Sequence, residues 1–142
     1  MNSPILAPAA MLVLWSLVVL AWMAITRLPA MSKAGIDLRT LVGGRGPDLQ
    51  GVIPDQVNWV AHNYNHLMEQ PTIFYASVII LALNGAGDGL NLSLAWVYVV
   101  LRVAHSLVQA TFNRVAIRFS LFGLSTLALL ILAVNAALSS SW

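Results

Sequence analysis

Two groups of polar side chains recur at helical spacing inside apolar stretches of the sequence. The first group is Asn58, His62, Asn65 and Glu69. The second group is Arg102, Ser106, Gln109 and Asn113. Both groups show successive steps of four, three and four residues, which places each group on one face of a helix. Two consecutive helices are therefore predicted to carry matching polar faces.

Glu69 and Arg102 lie at similar depths in these helices. At 1.5 Å per residue, Glu69 lies about 21 Å from Asp55, and Arg102 lies about 16 Å from Asn113. One antiparallel register then pairs Glu69 with Arg102, Asn65 with Ser106, His66 with His105, His62 with Gln109 and Asn58 with Asn113. A charge in apolar surroundings needs a partner, so we expect an ion pair between Glu69 and Arg102.

These polar groups could together bind an anionic, hydrogen-bonding ligand. The expected ligand contacts are Asn58, His62, Asn65, His66, Glu69, Arg102, His105, Gln109 and Asn113. Arg114 and Arg118 follow directly and would add positive charge at the mouth of the site. Two alternatives stay open: the polar residues could only hold helices together, or they could conduct protons. We assign no metal site, because His62 and His66 belong to no HExxH motif or ligand cluster.

The composition places these faces in a membrane. The chain has 142 residues, of which 59% are hydrophobic and 8% are charged, whereas soluble domains carry about 25% charged residues. So few charges and so many hydrophobic residues exclude a soluble globular fold and a disordered chain. The sequence also has no basic run that would indicate nucleic-acid binding. The chain has no cysteine, so any thiol chemistry must use a thiol that arrives with a small molecule.

Four apolar segments predict an all-α bundle of four transmembrane helices that forms one domain over residues 1–142. The predicted helices cover about residues 5–26, 55–83, 92–113 and 119–138. Pro71 should kink the second helix, because proline has no N–H to donate. No basic residue precedes Ile5, so we expect the first segment to be a retained helix and not a signal peptide.

The charges in the connections predict the orientation. The first and third connections contain Arg27, Lys33, Arg39, Arg45, Arg114 and Arg118, whereas the second contains only Asp88. By the positive-inside rule, the first and third connections are cytoplasmic and both termini lie on the opposite side.

Several of these segments also resemble a known family. The sequence NHLMEQP at residues 65–71, continuing to IFY at 73–75, resembles the second-helix signature of the MAPEG superfamily (membrane-associated proteins in eicosanoid and glutathione metabolism). The sequences RVAHS at 102–106 and NRVAIRF at 113–119 resemble the third-helix signature of its bacterial branch. The order of these matches agrees with the four-helix layout.

The resemblance implies a homotrimer in a bacterial inner membrane, with a glutathione site between neighbouring subunits. It also implies transferase or peroxidase activity on a small hydrophobic substrate within the lipid. An arginine would stabilise the glutathione thiolate, and Arg114 or Arg118 would supply it because we expect Glu69 to neutralise Arg102. The alternative is a non-catalytic structural or lipid-binding subunit of the same fold. A third possibility is proton or ion translocation, which the small number of spans disfavours.

Overall fold

The computed structural model describes residues 3–140, and helices dominate this part of the chain. The α-helices are α1 (Leu6–Lys33), α2 (Asp55–Leu67), α3 (Pro71–Leu83), α4 (Gly89–Ala110) and α5 (Val115–Ser139). A short 3-10 helix covers Gly46–Leu49 in the first connection. Because α2 and α3 follow each other as one span, the chain has four segments long and apolar enough to cross a membrane. The predicted all-α, four-span architecture is confirmed.

The helix bounds differ from the apolar segments at several ends. Helix α1 continues to Lys33 and includes Pro29, and α5 already begins at Val115. Helix α4 begins at Gly89 and ends at Ala110, so it lies nearer to the N-terminus than predicted. A helix does not need to end where apolar residues end, because its charged turns can extend into the polar lipid headgroups.

The predicted kink at Pro71 is a complete interruption of the helix. Residues 68–70 form a turn, and Pro71 is the first residue of α3, a position where its missing N–H costs nothing. Gln70 fixes this turn to the rest of the bundle. Its Nε2 donates to Thr126 Oγ1 at 2.9 Å, and its Oε1 accepts from the Tyr98 hydroxyl at 3.3 Å.

Helix α4 packs against α1, α2 and α5, helix α1 packs also against α2, and α3 packs against α1 and α5. The Phe74 ring stacks on the Tyr98 ring with centroids 4.3 Å apart, which joins α3 to α4 in the core. Large apolar side chains such as Leu14, Leu83 and Leu127 are exposed on the outside. An apolar exterior of this kind suits contact with lipid.

Candidate functional site

A cavity of about 310 Å³ opens between α2, the last turns of α4 and the first turns of α5. Helices α2 and α5 each pack against α4, and the cavity occupies the space between them. Six residues predicted from the sequence line it: His62, His66, Glu69, His105, Gln109 and Arg118. Three unpredicted apolar residues complete the lining: Val115, Phe119 and Phe122. The volume is in the range of sites for small molecules.

Arg102 lies directly behind His66 and is fully buried. Its Nη2 donates to the His66 carbonyl oxygen at 3.0 Å, and its Nη1 lies 3.3 Å from His66 Nε2. Arginine has no acceptor atom, so His66 Nε2 must accept this hydrogen bond. The ring proton then sits on Nδ1, which donates to Glu69 Oε2 at 3.0 Å. His66 therefore connects Arg102 to Glu69.

The expected direct ion pair between Glu69 and Arg102 is wrong. Glu69 pairs with His66 instead, and its side chain is 68% exposed. The reason is the rotation of α2: Asn63, Leu67 and Phe74 are buried on one face that continues from α2 into α3. Asn65 and Glu69 lie on another face and are exposed, whereas our register aimed that face at α4.

The remaining pairs of the predicted register give a mixed result. His66 and His105 do meet, with ring centroids 5.0 Å apart. Ser106, however, accepts hydrogen bonds from Asn63 Nδ2 at 2.7 Å and Trp15 Nε1 at 3.0 Å. The expected partner Asn65 is exposed on the outer side of α2. The polar face of α2 that contacts α4 is therefore formed by Asn63 and His66.

The start of α5 brings one of the two candidate arginines into the cavity. Arg118 lines it, and its Nη1 donates to Asn113 Oδ1 at 2.7 Å. Asn113 has a φ of 51°, a left-handed conformation that asparagine tolerates better than most residues. Arg114 is exposed at the N-cap position of α5 and is not part of the lining. Asn113 thus supports Arg118 without lining the cavity itself.

Gln109 presents an unused hydrogen-bond acceptor in the lining of this cavity. Its Oε1 is buried and has no hydrogen-bond partner within residues 3–140. A buried acceptor of this kind is normally satisfied, so a ligand N–H in the cavity would complete it. Asn58, by contrast, donates to the Leu49 carbonyl oxygen at 3.4 Å and belongs to the contact between α2 and the first connection.

Phe119 and Phe122 are the main lining residues that the sequence argument missed. Together with Val115 and Arg118 they occupy one face at the start of α5. Their spacing of three, one and three residues is the periodicity of a helix face. That spacing was the available signal, but apolar residues in an apolar helix do not stand out without a neighbouring polar face.

Comparison with known proteins decides the family. The sequence model of the MAPEG family matches residues 5–138, nearly the whole chain. The chain belongs to the MAPEG family. No curated protein and no solved structure matches it.

The charges of this MAPEG protein make the inner part of the cavity positive. Arg118 lines the cavity, and Arg102 lies behind His66 with its guanidinium carbon 5.8 Å from the centre of the Phe122 ring. Among the described residues, neither arginine forms an ion pair with a carboxylate. Glu69 supplies negative charge at the exposed end. An elongated ligand with an anionic group inside and an ammonium group outside would match this distribution.

Proposed function

We propose that this multi-pass MAPEG protein binds glutathione in the cavity and is a glutathione-dependent transferase or peroxidase acting on a hydrophobic substrate. The observation that carries the proposal is the position of Arg118. Arg118 is the one cationic arginine in a lining that otherwise consists of three histidines, Glu69, Gln109 and apolar side chains, and Asn113 accepts a hydrogen bond from it.

The cavity residues fit the functional groups of glutathione. Glutathione is a tripeptide with an ammonium group, two carboxylates, two amides and a thiol. The exposed carboxylate of Glu69 suits the ammonium group, and the unpartnered Oε1 of Gln109 suits an amide N–H. The ring nitrogens of His62 and His105 offer further hydrogen bonds at the lining.

Glutathione would supply the nucleophilic sulfur that a chain without cysteine lacks. The role of Arg118 is electrostatic, because a cation beside a thiol favours the thiolate. Arg102 adds positive potential from behind His66. Phe119, Phe122 and Val115 form an apolar wall, which would hold a hydrophobic electrophile or peroxide and exclude water from it.

The outward polar side chains of α2 and of the turn after it support a site between subunits, and the family resemblance implies that the oligomer is a homotrimer. His62, Asn65 and Glu69 are exposed, although they belong to a span that would lie in lipid. Exposed polar groups are costly in a bilayer. A neighbouring subunit that covers this face would remove the cost and close the open side of the cavity. Cross-linking in membranes should therefore give a trimer as the largest species, and a monomer alone would contradict this arrangement.

The experiment that tests the proposal compares Arg118 with Arg114. The purified protein should show a higher Tm with millimolar glutathione, because a ligand that binds only the folded state stabilises it. Arg114→Gln, the matched control, should keep this rise, and Arg118→Gln should lose most of it. With 1-chloro-2,4-dinitrobenzene as the electrophile, Arg118→Gln should lower the conjugation rate about 100-fold, the usual cost of losing one charge-stabilising group.

The outcomes also separate the enzyme from its alternative, a non-catalytic structural or lipid-binding subunit. The buried contact of Asn63 with Ser106 joins α2 to α4, as expected of a polar residue that only holds helices together. Absence of any Tm shift with glutathione would contradict the glutathione site. A Tm shift without turnover of 1-chloro-2,4-dinitrobenzene or cumene hydroperoxide would contradict the enzymatic activity and favour the alternative.

A further inference from the structure

A second cavity, of about 410 Å³, lies between the end of α1 and the first connection. It shares no lining residue with the first cavity, so it is independent of the proposed glutathione site. Arg27 and Met31 of α1 form one wall, and Leu41, Arg45 and Leu49 of the connection form the other. The lining thus combines cationic and apolar side chains.

Arg27 has hydrogen-bonding capacity that the protein does not use. Its Nη2 donates to the Gly46 carbonyl oxygen at 3.0 Å. A Cβ on Gly46 would lie 3.3 Å from the same Nη2, so the backbone approaches the guanidinium closely. Its Nε is buried and has no partner in the described part of the chain, where Arg27 also forms no ion pair. A buried charged donor without an acceptor calls for an anionic group.

The charges of the lining leave room for such an anion. Asp48 is the carboxylate in the lining, and its Oδ2 accepts from the backbone N–H of Arg45 at 2.7 Å. This contact orders the connection and does not involve Arg27. The lining contains two arginines, Arg27 and Arg45, and one carboxylate, so its net charge is positive.

The position of Arg27 along α1 places this cavity at the boundary of the hydrocarbon core of the membrane. Helix α1 has 28 residues and is about 42 Å long, whereas the hydrocarbon core is about 30 Å thick. Arg27 follows the apolar part of α1 directly. The end of α1 and the cavity beside it therefore lie at the level of the lipid headgroups.

The surface of the connection fits the same location. Val42 is 94% exposed, and Leu38 and Leu41 are exposed near it. Lys33, the last residue of α1, and Arg39 of the connection are also exposed. Exposed apolar side chains interspersed with cations are the pattern of a segment that rests in the interface of an anionic membrane.

We propose that this second cavity binds the headgroup phosphate of an anionic membrane phospholipid. Arg27 Nε–H donates to a phosphate oxygen, and Arg45 adds positive charge at the opposite wall. Met31, Leu41 and Leu49 contact the glycerol and the first methylene groups. The occupant is a lipid and not a free anion, because the cavity walls are mainly apolar and lie where headgroups are.

The test measures the Tm of the purified full chain in a neutral detergent. Added dioleoylphosphatidylglycerol should raise the Tm by about 4 °C, and the same amount of dioleoylphosphatidylcholine should not. Arg27→Gln should abolish this rise. Arg39→Gln is the matched control, because Arg39 is an exposed arginine of the same connection, pairs with Asp37 at 3.2 Å and is not part of the lining. It should keep the rise.

A second variant keeps the proposal testable if Arg27→Gln does not fold. Arg45 is exposed, so Arg45→Gln should fold normally and reduce the lipid-dependent rise by about half. If folded Arg27→Gln and Arg45→Gln both kept the full lipid-dependent rise in Tm, the proposal would be overturned. So would an equal rise with phosphatidylcholine, which would indicate solvation of apolar surface. An equal rise with millimolar inorganic phosphate would overturn the assignment to a lipid.

Discussion

Arg102 is fully buried and is held by the backbone and ring of His66. Arg102→Met would leave the part-buried His66 carbonyl without its donor, which costs about 1–3 kcal/mol of unfolding free energy. Glu69→Gln should cost less than about 1 kcal/mol, because the carboxylate is exposed and its pair with His66 is screened. Reversible unfolding in detergent micelles would measure both. Equal losses, with strong coupling in the double variant, would show a direct pair and contradict this structure.

Asn113 positions Arg118 by accepting its hydrogen bond, and its own backbone adopts the left-handed conformation. Asn113→Gly and Asn113→Ala both remove the acceptor for Arg118, so both should reduce the Tm rise produced by glutathione. Only Asn113→Ala should lower the stability of the free protein, by about 1 kcal/mol, because alanine tolerates positive φ poorly. Asn113→Asp keeps an acceptor oxygen but places a carboxylate against Arg118, so it should also reduce the glutathione effect by neutralising that charge. An unchanged glutathione effect in Asn113→Gly would contradict the positioning role.

For single residues the sequence indicated part of the set of polar side chains that converge, but not how they pair. Six predicted site residues line the cavity: His62, His66, Glu69, His105, Gln109 and Arg118. Five others do not: Asn58, Asn65, Arg102, Asn113 and Arg114. The partners of Arg102 and Ser106 were missed because hydrogen bonds depend on helix rotation. A rotation that turns Asn63 toward α4 leaves Asn65 exposed, and residue spacing alone does not determine it.

The turn between α2 and α3 carries Glu69, one of the residues that line the first cavity. Pro71 predicts a kink, because it lacks the N–H that a continuous helix would use, whereas the structure has a turn between two helices. The sequence does not show that Gln70 secures the turn by bonding to both Tyr98 and Thr126. Those contacts connect residues that are distant in the chain, so they depend on the packing of three helices.

The two hydrogen bonds of Gln70 should make it more important for stability than its neighbours in the turn. Gln70→Leu should cost about 1–3 kcal/mol, because the Tyr98 hydroxyl and Thr126 would lose their partner. It should also speed hydrogen exchange at residues 68–73, since the turn would no longer be fixed to α4 and α5. Gln56→Leu, at an exposed position in the first turn of α2, is the control and should leave both quantities unchanged. Equal exchange in the two variants would contradict the anchoring role.

At the scale of the whole molecule, four successive spans bring the first and third connections to one end of the bundle. Six basic residues belong to that end: Arg27, Lys33, Arg39, Arg45, Arg114 and Arg118. Both cavities lie toward it, since one is formed beside the first connection and the other includes the start of α5. We propose that this end faces the cytoplasm, where a site for glutathione would meet the reduced thiol.

The absence of cysteine from the sequence allows a direct test of this orientation, because one introduced cysteine is the only thiol of the chain. Thr40 and Asp88 are exposed in the first and second connections, respectively. In intact bacterial cells, a membrane-impermeant maleimide should label Asp88→Cys and leave Thr40→Cys unlabelled until the cells are lysed. Asp88→Cys hardly changes the orienting signal, because acidic residues contribute little to it. Labelling of Thr40→Cys in intact cells would mean that the basic end, with both cavities, faces outward, and would contradict the proposed orientation.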